Sequence, residues 1–182
     1  MNKQTKKSIK KEFINKVIAT WGRNHEFAFL CGSFIRDSLN ENSDIDMFIC
    51  VKNNNNYFEE KFKNWYLKLH LKYQLKPDEQ YFFEITDITR LIKSLELVEK
   101  VEPDFKLKTM KIYDGIVWAG MISGKKQCLF GNLREFLKLE LKSKKIVKRW
   151  RKVLIKNNYD DPKLEDDLYL KFNTFYLGNE KL

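Results

Sequence analysis

Residues 31–51, CGSFIRDSLNENSDIDMFICV, restrict what this chain can be more than any other stretch. A short apolar run over residues 27–31 ends in Gly32 and Ser33, and a charged stretch follows. The next apolar run opens with two aspartates that straddle an isoleucine. Side chains alternate along a strand, so a strand over residues 44–51 sets Asp44 and Asp46 on one face and Ile45 on the other. Two neighbouring carboxylates resist ionising together, and burying them is costly unless something cationic joins them. A divalent cation resolves that conflict. Mg²⁺ (or Mn²⁺) takes hard oxygen ligands, usually one or two carboxylates plus substrate phosphates. Paired metals on such carboxylates suit in-line attack at phosphorus. The plain alternative is a pair of aspartates capping a strand at the surface.

Gly32 and Ser33 favour the chemical reading. A glycine at a strand end lets backbone approach a ligand closely, and a helix that follows offers free N–H groups to an anion. Ser33 adds a hydroxyl, and Arg36, one turn on, adds a cation suited to phosphate oxygens. A phosphate cradle, a short helix over residues 34–39, a loop over 40–43 and paired aspartates together make a nucleotide-plus-metal site.

Gly32, Ser33, Arg36, Ser43, Asp44 and Asp46, spaced G-S-x-x-R-x(6)-S-D-I-D, resemble the signature of the DNA polymerase β-like nucleotidyltransferase superfamily. The spacing is similar to that of its small bacterial members. FIRDSL, with Asp37 where a glycine often stands, resembles the head of CCA-adding enzymes and poly(A) polymerases. The resemblance implies an α+β palm, a mixed twisted sheet with flanking helices, followed here by C-terminal helices. It implies that Gly32, Ser33, Arg36 and Ser43 bind the nucleoside triphosphate (NTP), ATP among the candidates, and that Asp44 and Asp46 bind the metals. It also implies a third catalytic and metal-binding carboxylate on a neighbouring strand. YFFEITDITRL, residues 81–91, is similar to the family's V-D-L-V-D-L stretch and places Glu84 there, as a metal ligand or as the base for the attacking hydroxyl. Asp87, suited to cap the next helix, and Glu79 compete for the role.

Around this centre, Ile9, Phe13, Val17 and Trp21 recur every fourth residue, predicting a helix over 5–21 that Gly22 stops. Phe58, Phe62, Trp65, Leu69 and Tyr73 predict a second helix ended by Pro77. A strand over 79–86 and a short helix bearing Ile88, Leu91, Ile92 and Leu95 follow. Residues 116–130 read as two strands joined at Ser123 and Gly124. After Gly131 the pattern is helical, opened by Asn132 and Glu135 as a capping pair, with a further helix from Asp161 and Pro162 to Gly178. The expected division is a nucleotidyltransferase core over 1–131 and a helical region over 132–182.

A net charge of +10 permits an anionic partner. Lys138, Lys142, Lys145, Arg149, Lys152 and Lys156 step by fours and threes along one helix face. Lys142, Lys145 and Arg149 are the candidate contacts to an RNA acceptor such as tRNA; the plain alternative is a solvated face. A small antibiotic acceptor would instead call for acids such as Asp160, Asp161, Asp166 and Asp167 at a cleft. A non-catalytic nucleotide- or RNA-binding module of the antitoxin type is the contrasting function. Cys31, Cys50 and Cys128 form no metal-ligand spacing with His25 or His70. The basic N-terminus has no apolar run behind it, and no stretch reaches membrane-spanning length, so a cytoplasmic protein is expected.

Overall fold

A computed structural model describes residues 3–34, 43–77, 83–103 and 110–156. These divide into two compact units. One comprises Met1–Ile88 with Lys125–Leu133, the other Thr89–Gly124 with Arg134–Leu182.

The first unit is built on a four-stranded sheet in the order β3-β2-β1-β4. Helix α1, Lys3–Trp21, buries Ile9, Phe13 and Val17 completely, as the four-residue spacing predicts, and ends where Gly22 takes φ +54°. Strand β1, His25–Leu30, pairs antiparallel with β2, Met47–Val51, setting Leu30 opposite Met47 and Ala28 opposite Ile49. Those four side chains join Phe13, Val17, Phe62 and Tyr66 in one core. Fully burying each large apolar member contributes about 1.5–3 kcal/mol. Phe27, Phe29, Phe48 and Cys50 occupy the other face, where the Phe29 and Phe48 rings stack 5.1 Å apart.

Helix α2, Asn56–Lys72, carries the chain from β2 to the parallel strand β3, Glu84–Asp87. The Asn55 side chain caps α2 by accepting from the Tyr57 N–H at 2.8 Å. Its C-terminus falls earlier than Pro77. The Leu75 N–H turns back onto the His70 carbonyl, and Gln74 takes φ +55°, so a left-handed residue and not the proline stops the helix. Strand β4, Gln127–Gly131, closes the other edge against β1.

The second unit holds most of α3, Ile88–Lys100, all of α4, Met110–Ser123, and α5, Leu133–Lys156, from Arg134 on. Helix α4 corrects the expected strand at Ile116. Residues 115–122 are all buried, and a run buried all round carries neither the helical nor the strand period. Gly115 explains the close packing: a Cβ there would lie 2.5 Å from Val98 Cγ2 and 2.7 Å from the Ser94 carbonyl oxygen. Arg90 pairs with Asp114 at 2.7 Å and lies over the Trp118 ring. Along α5 the buried stripe is Phe136, Leu139, Ser143, Ile146 and Trp150. The helix expected after Asp161, like Lys156 and Val153 as side chains, lies outside the described residues. Among those described, no helix is long and apolar enough to cross a membrane.

Candidate active site

The end of β1 and the start of β2 meet at one corner of the sheet. The Cys31 N–H donates to the Asp46 carbonyl at 3.0 Å, extending the ladder one step past Leu30 and Met47. Strand β2 proper begins at Met47, three residues later than the sequence suggests, and residues 44–46 form its lead-in. The expected alternation nevertheless holds there: Ile45 is fully buried in the core, while Asp44 and Asp46 are part-exposed.

A histidine holds this lead-in. The Ile45 N–H donates to His70 Nε2 at 3.0 Å, and His70 Nδ1 donates to the Tyr66 carbonyl at 2.9 Å. That pair of bonds fixes a neutral imidazole. Burial lowers the His70 pKa, and the bond to Tyr66 opposes it only in part. Sequence reading assigned His70 no role, because its spacing on α2 marks it only as one more inward position.

Gly32 opens a short 3₁₀ turn, Gly32–Phe34, with φ +59°. A Cβ at Gly32 would stand 1.6 Å from Asp46 Oδ2 and 2.4 Å from its Cγ, so the Asp46 carboxylate lies directly on the glycine Cα. Any side chain there would displace the carboxylate and strain the backbone. Lys6 of α1 steadies the turn, its ammonium donating to the Phe34 carbonyl at 3.1 Å and lying 5.6 Å from the ring centroid. The Ser33 side chain, Arg36 with the expected helix, and Glu79 lie outside the described residues. Ser43 is part-buried beside Asp44.

Glu84 stands opposite Phe48 in the parallel pair of β2 and β3. Asp46 precedes Phe48 by two residues, so alternation puts Asp46 and Glu84 on the same face of the sheet. The Cys31 thiol is pushed well above the usual range, first by burial, then by the negative charges of Asp46, Asp44 and Glu84, with Lys126 acting in the opposite sense. Asp87 ends β3 and directly precedes α3.

The donor set suits a hard cation: carboxylate oxygens, beside a Cys31 thiol that burial and the neighbouring negative charges hold protonated. Among the described residues no group of three or more His, Cys, Asp or Glu is placed to hold a metal ion. An aspartate pair completed by substrate phosphates is the mode that Mg²⁺ commonly takes.

The basic residues of α5 are used unequally. Lys142 pairs with Glu99 at 3.1 Å and faces Glu96 at 3.9 Å. The Arg149 guanidinium donates to the carbonyls of Glu99 at 2.6 Å, Val98 at 2.7 Å and Val101, capping the end of α3. Lys145 is exposed.

A sheet whose first strand runs into a glycine turn backed by a carboxylate has the architecture of the nucleotidyltransferases. The family model described as Polymerase beta, Nucleotidyltransferase matches residues 7–109, more than half of the chain, and the chain belongs to that family. Neither the curated proteins nor the solved structures give a match. Membership brings nucleotidyl transfer as the general activity, with an NTP as donor.

Proposed function

We propose that this protein is a divalent-metal-dependent nucleotidyltransferase that moves a nucleoside monophosphate from an NTP, ATP among them, to a hydroxyl of a structured RNA such as tRNA. The observation that carries the reading is the Asp46 carboxylate lying on the Gly32 Cα. It makes the proposed metal ligands and the proposed phosphate turn one piece of structure. Gly32, Ser33, Arg36 and Ser43 bind the triphosphate. Asp44 and Asp46 hold Mg²⁺ or Mn²⁺, which when bound offsets phosphate charge and activates the transfer. Glu84 supplies the third carboxylate and accepts the proton of the attacking hydroxyl. His70 keeps residues 44–46 in register through the Ile45 N–H.

The net charge of +10 favours a polyanionic acceptor. Lys142 and Arg149 also hold α3, so Lys145 is the one of the three that meets an acceptor without giving up a contact of its own. The core over 1–131 carries the chemistry, and the helical region over 132–182 carries the acceptor surface.

The test is transfer of α-³²P-labelled NTPs, with Mg²⁺, onto a panel of tRNA, aminoglycoside and lincosamide acceptors. Label on RNA, lost in Asp46→Asn with the melting temperature unchanged or slightly raised, is the expected result. Undiminished transfer by Asp46→Asn overturns the mechanism. Label on an antibiotic moves the acceptor to a small molecule, and NTP binding without transfer to any acceptor makes the protein a binding module.

A further inference from the structure

The row across the sheet at the end of β1 has a third member. Strands β1 and β4 run antiparallel with Leu30 opposite Gln127. Lys126, the residue before β4, therefore stands beside Cys31, whose other neighbour across the sheet is Asp46. Gln127 shares the side of Leu30, so alternation carries Lys126 to the opposite face. That is the face of Phe29 and Phe48, and of Glu84 opposite Phe48. The order along the row is carboxylate, thiol, ammonium, and the Gly32 turn begins at its centre.

A triphosphate brought to this corner meets the acids on one side. A cation on the other side holds the part of the nucleotide farthest from them. We propose that Lys126 is a further phosphate-binding residue of this site, its ammonium meeting the β- and γ-phosphates at the Gly32 turn. This rests on the nucleotidyltransferase reading above. In the reaction the acceptor oxygen bonds to the α-phosphorus, and the bond from that phosphorus to the oxygen bridging it to the β-phosphorus breaks. Pyrophosphate leaves with the electron pair, and the hydroxyl proton passes to Glu84. Charge grows on the leaving pyrophosphate, and a nearby ammonium on a flexible stem stabilises it as it departs.

Calorimetric titration of the full chain with inorganic pyrophosphate, and with α,β-methylene-ATP, tests this. Lys126→Met is expected to weaken pyrophosphate binding about ten- to hundredfold, the scale of one hydrogen bond to a charged group. Lys126→Arg is expected to restore most of it. Pyrophosphate is also expected to slow acylation of Lys126 by an N-hydroxysuccinimide ester in the native protein, read by peptide mass spectrometry, which needs no variant to fold. Native-like pyrophosphate affinity in Lys126→Met, or acylation of Lys126 unaffected by saturating pyrophosphate, overturns the role of Lys126 and leaves the nucleotidyltransferase reading standing. A native protein that binds neither pyrophosphate nor the ATP analogue overturns both.

Discussion

The helical unit and the sheet unit both bring charged side chains together, around different centres. In the helical unit cations meet acids or helix carbonyls: Arg90 takes Asp114, Lys142 takes Glu99, and Arg149 takes the last carbonyls of α3. In the sheet unit Asp44, Asp46 and Glu84 all press negative charge onto the buried Cys31, and among the described residues Lys126 acts in the opposite sense. Compensated charge fastens one helix to the next. Charged groups that perturb one another's ionisation around a buried residue cluster at functional sites.

Three measurements sharpen or break that contrast, the largest effect first. Gly32→Ala forces a methyl group into the Asp46 carboxylate at a residue with φ +59°. Transfer activity is expected to vanish, and stability in urea to fall by about 1–3 kcal/mol from the left-handed backbone alone. Native activity in this variant would separate the turn from the carboxylates. Next, Arg149→Met removes the donors from three carbonyls at the end of α3. It is expected to cost about 1–3 kcal/mol on chemical denaturation and to leave NTP binding unchanged. Weakened NTP binding there would show that Arg149 serves the reaction as well as the helix.

The smallest effect is on pH. His70 has its folded pKa lowered by burial from an ordinary 6.5, so the unfolded chain binds its proton more readily. Its contribution to stability is complete above about pH 6.5 and is lost as pH falls through 6.5 towards the folded value. A native protein that loses stability on acidification below that point, beside a His70→Gln variant in which this part of the slope is gone, is the expected pair of curves. Identical slopes would remove His70 as the strut of residues 44–46.

Much of this was legible from residue order, for local reasons. The inward Ile45 between two outward aspartates follows from alternation along a strand, while the glycine turn and the position of Glu84 were legible through the resemblance to the nucleotidyltransferase signature. What escaped depends on partners distant in sequence. Residues 115–122 of α4 are all buried and show no period. Glu140 is the only acid between Lys138 and Lys156, so the cations of α5 look short of partners within their own helix. Two of them find theirs at the end of α3, 43 (142 − 99) and 50 residues back. His70 and Lys126 carry no local signature either, and only the packing of α2 and the register of β4 bring them to the corner.

The position of β4 has a consequence for how the chain is made. Strands β1, β2 and β3, with α1 and α2, come from one continuous stretch, whereas β4 is drawn from Gln127–Gly131 and pairs with β1 at His25–Leu30. During synthesis from the N-terminus, β1 is left as an open edge until about a hundred further residues have been added. Nascent chains with unpaired strand edges recruit one another readily. Polysomes translating this message are therefore expected to carry a queue of three-stranded sheets with the same exposed edge, because the ribosome reaches the residues that shield it only late in elongation.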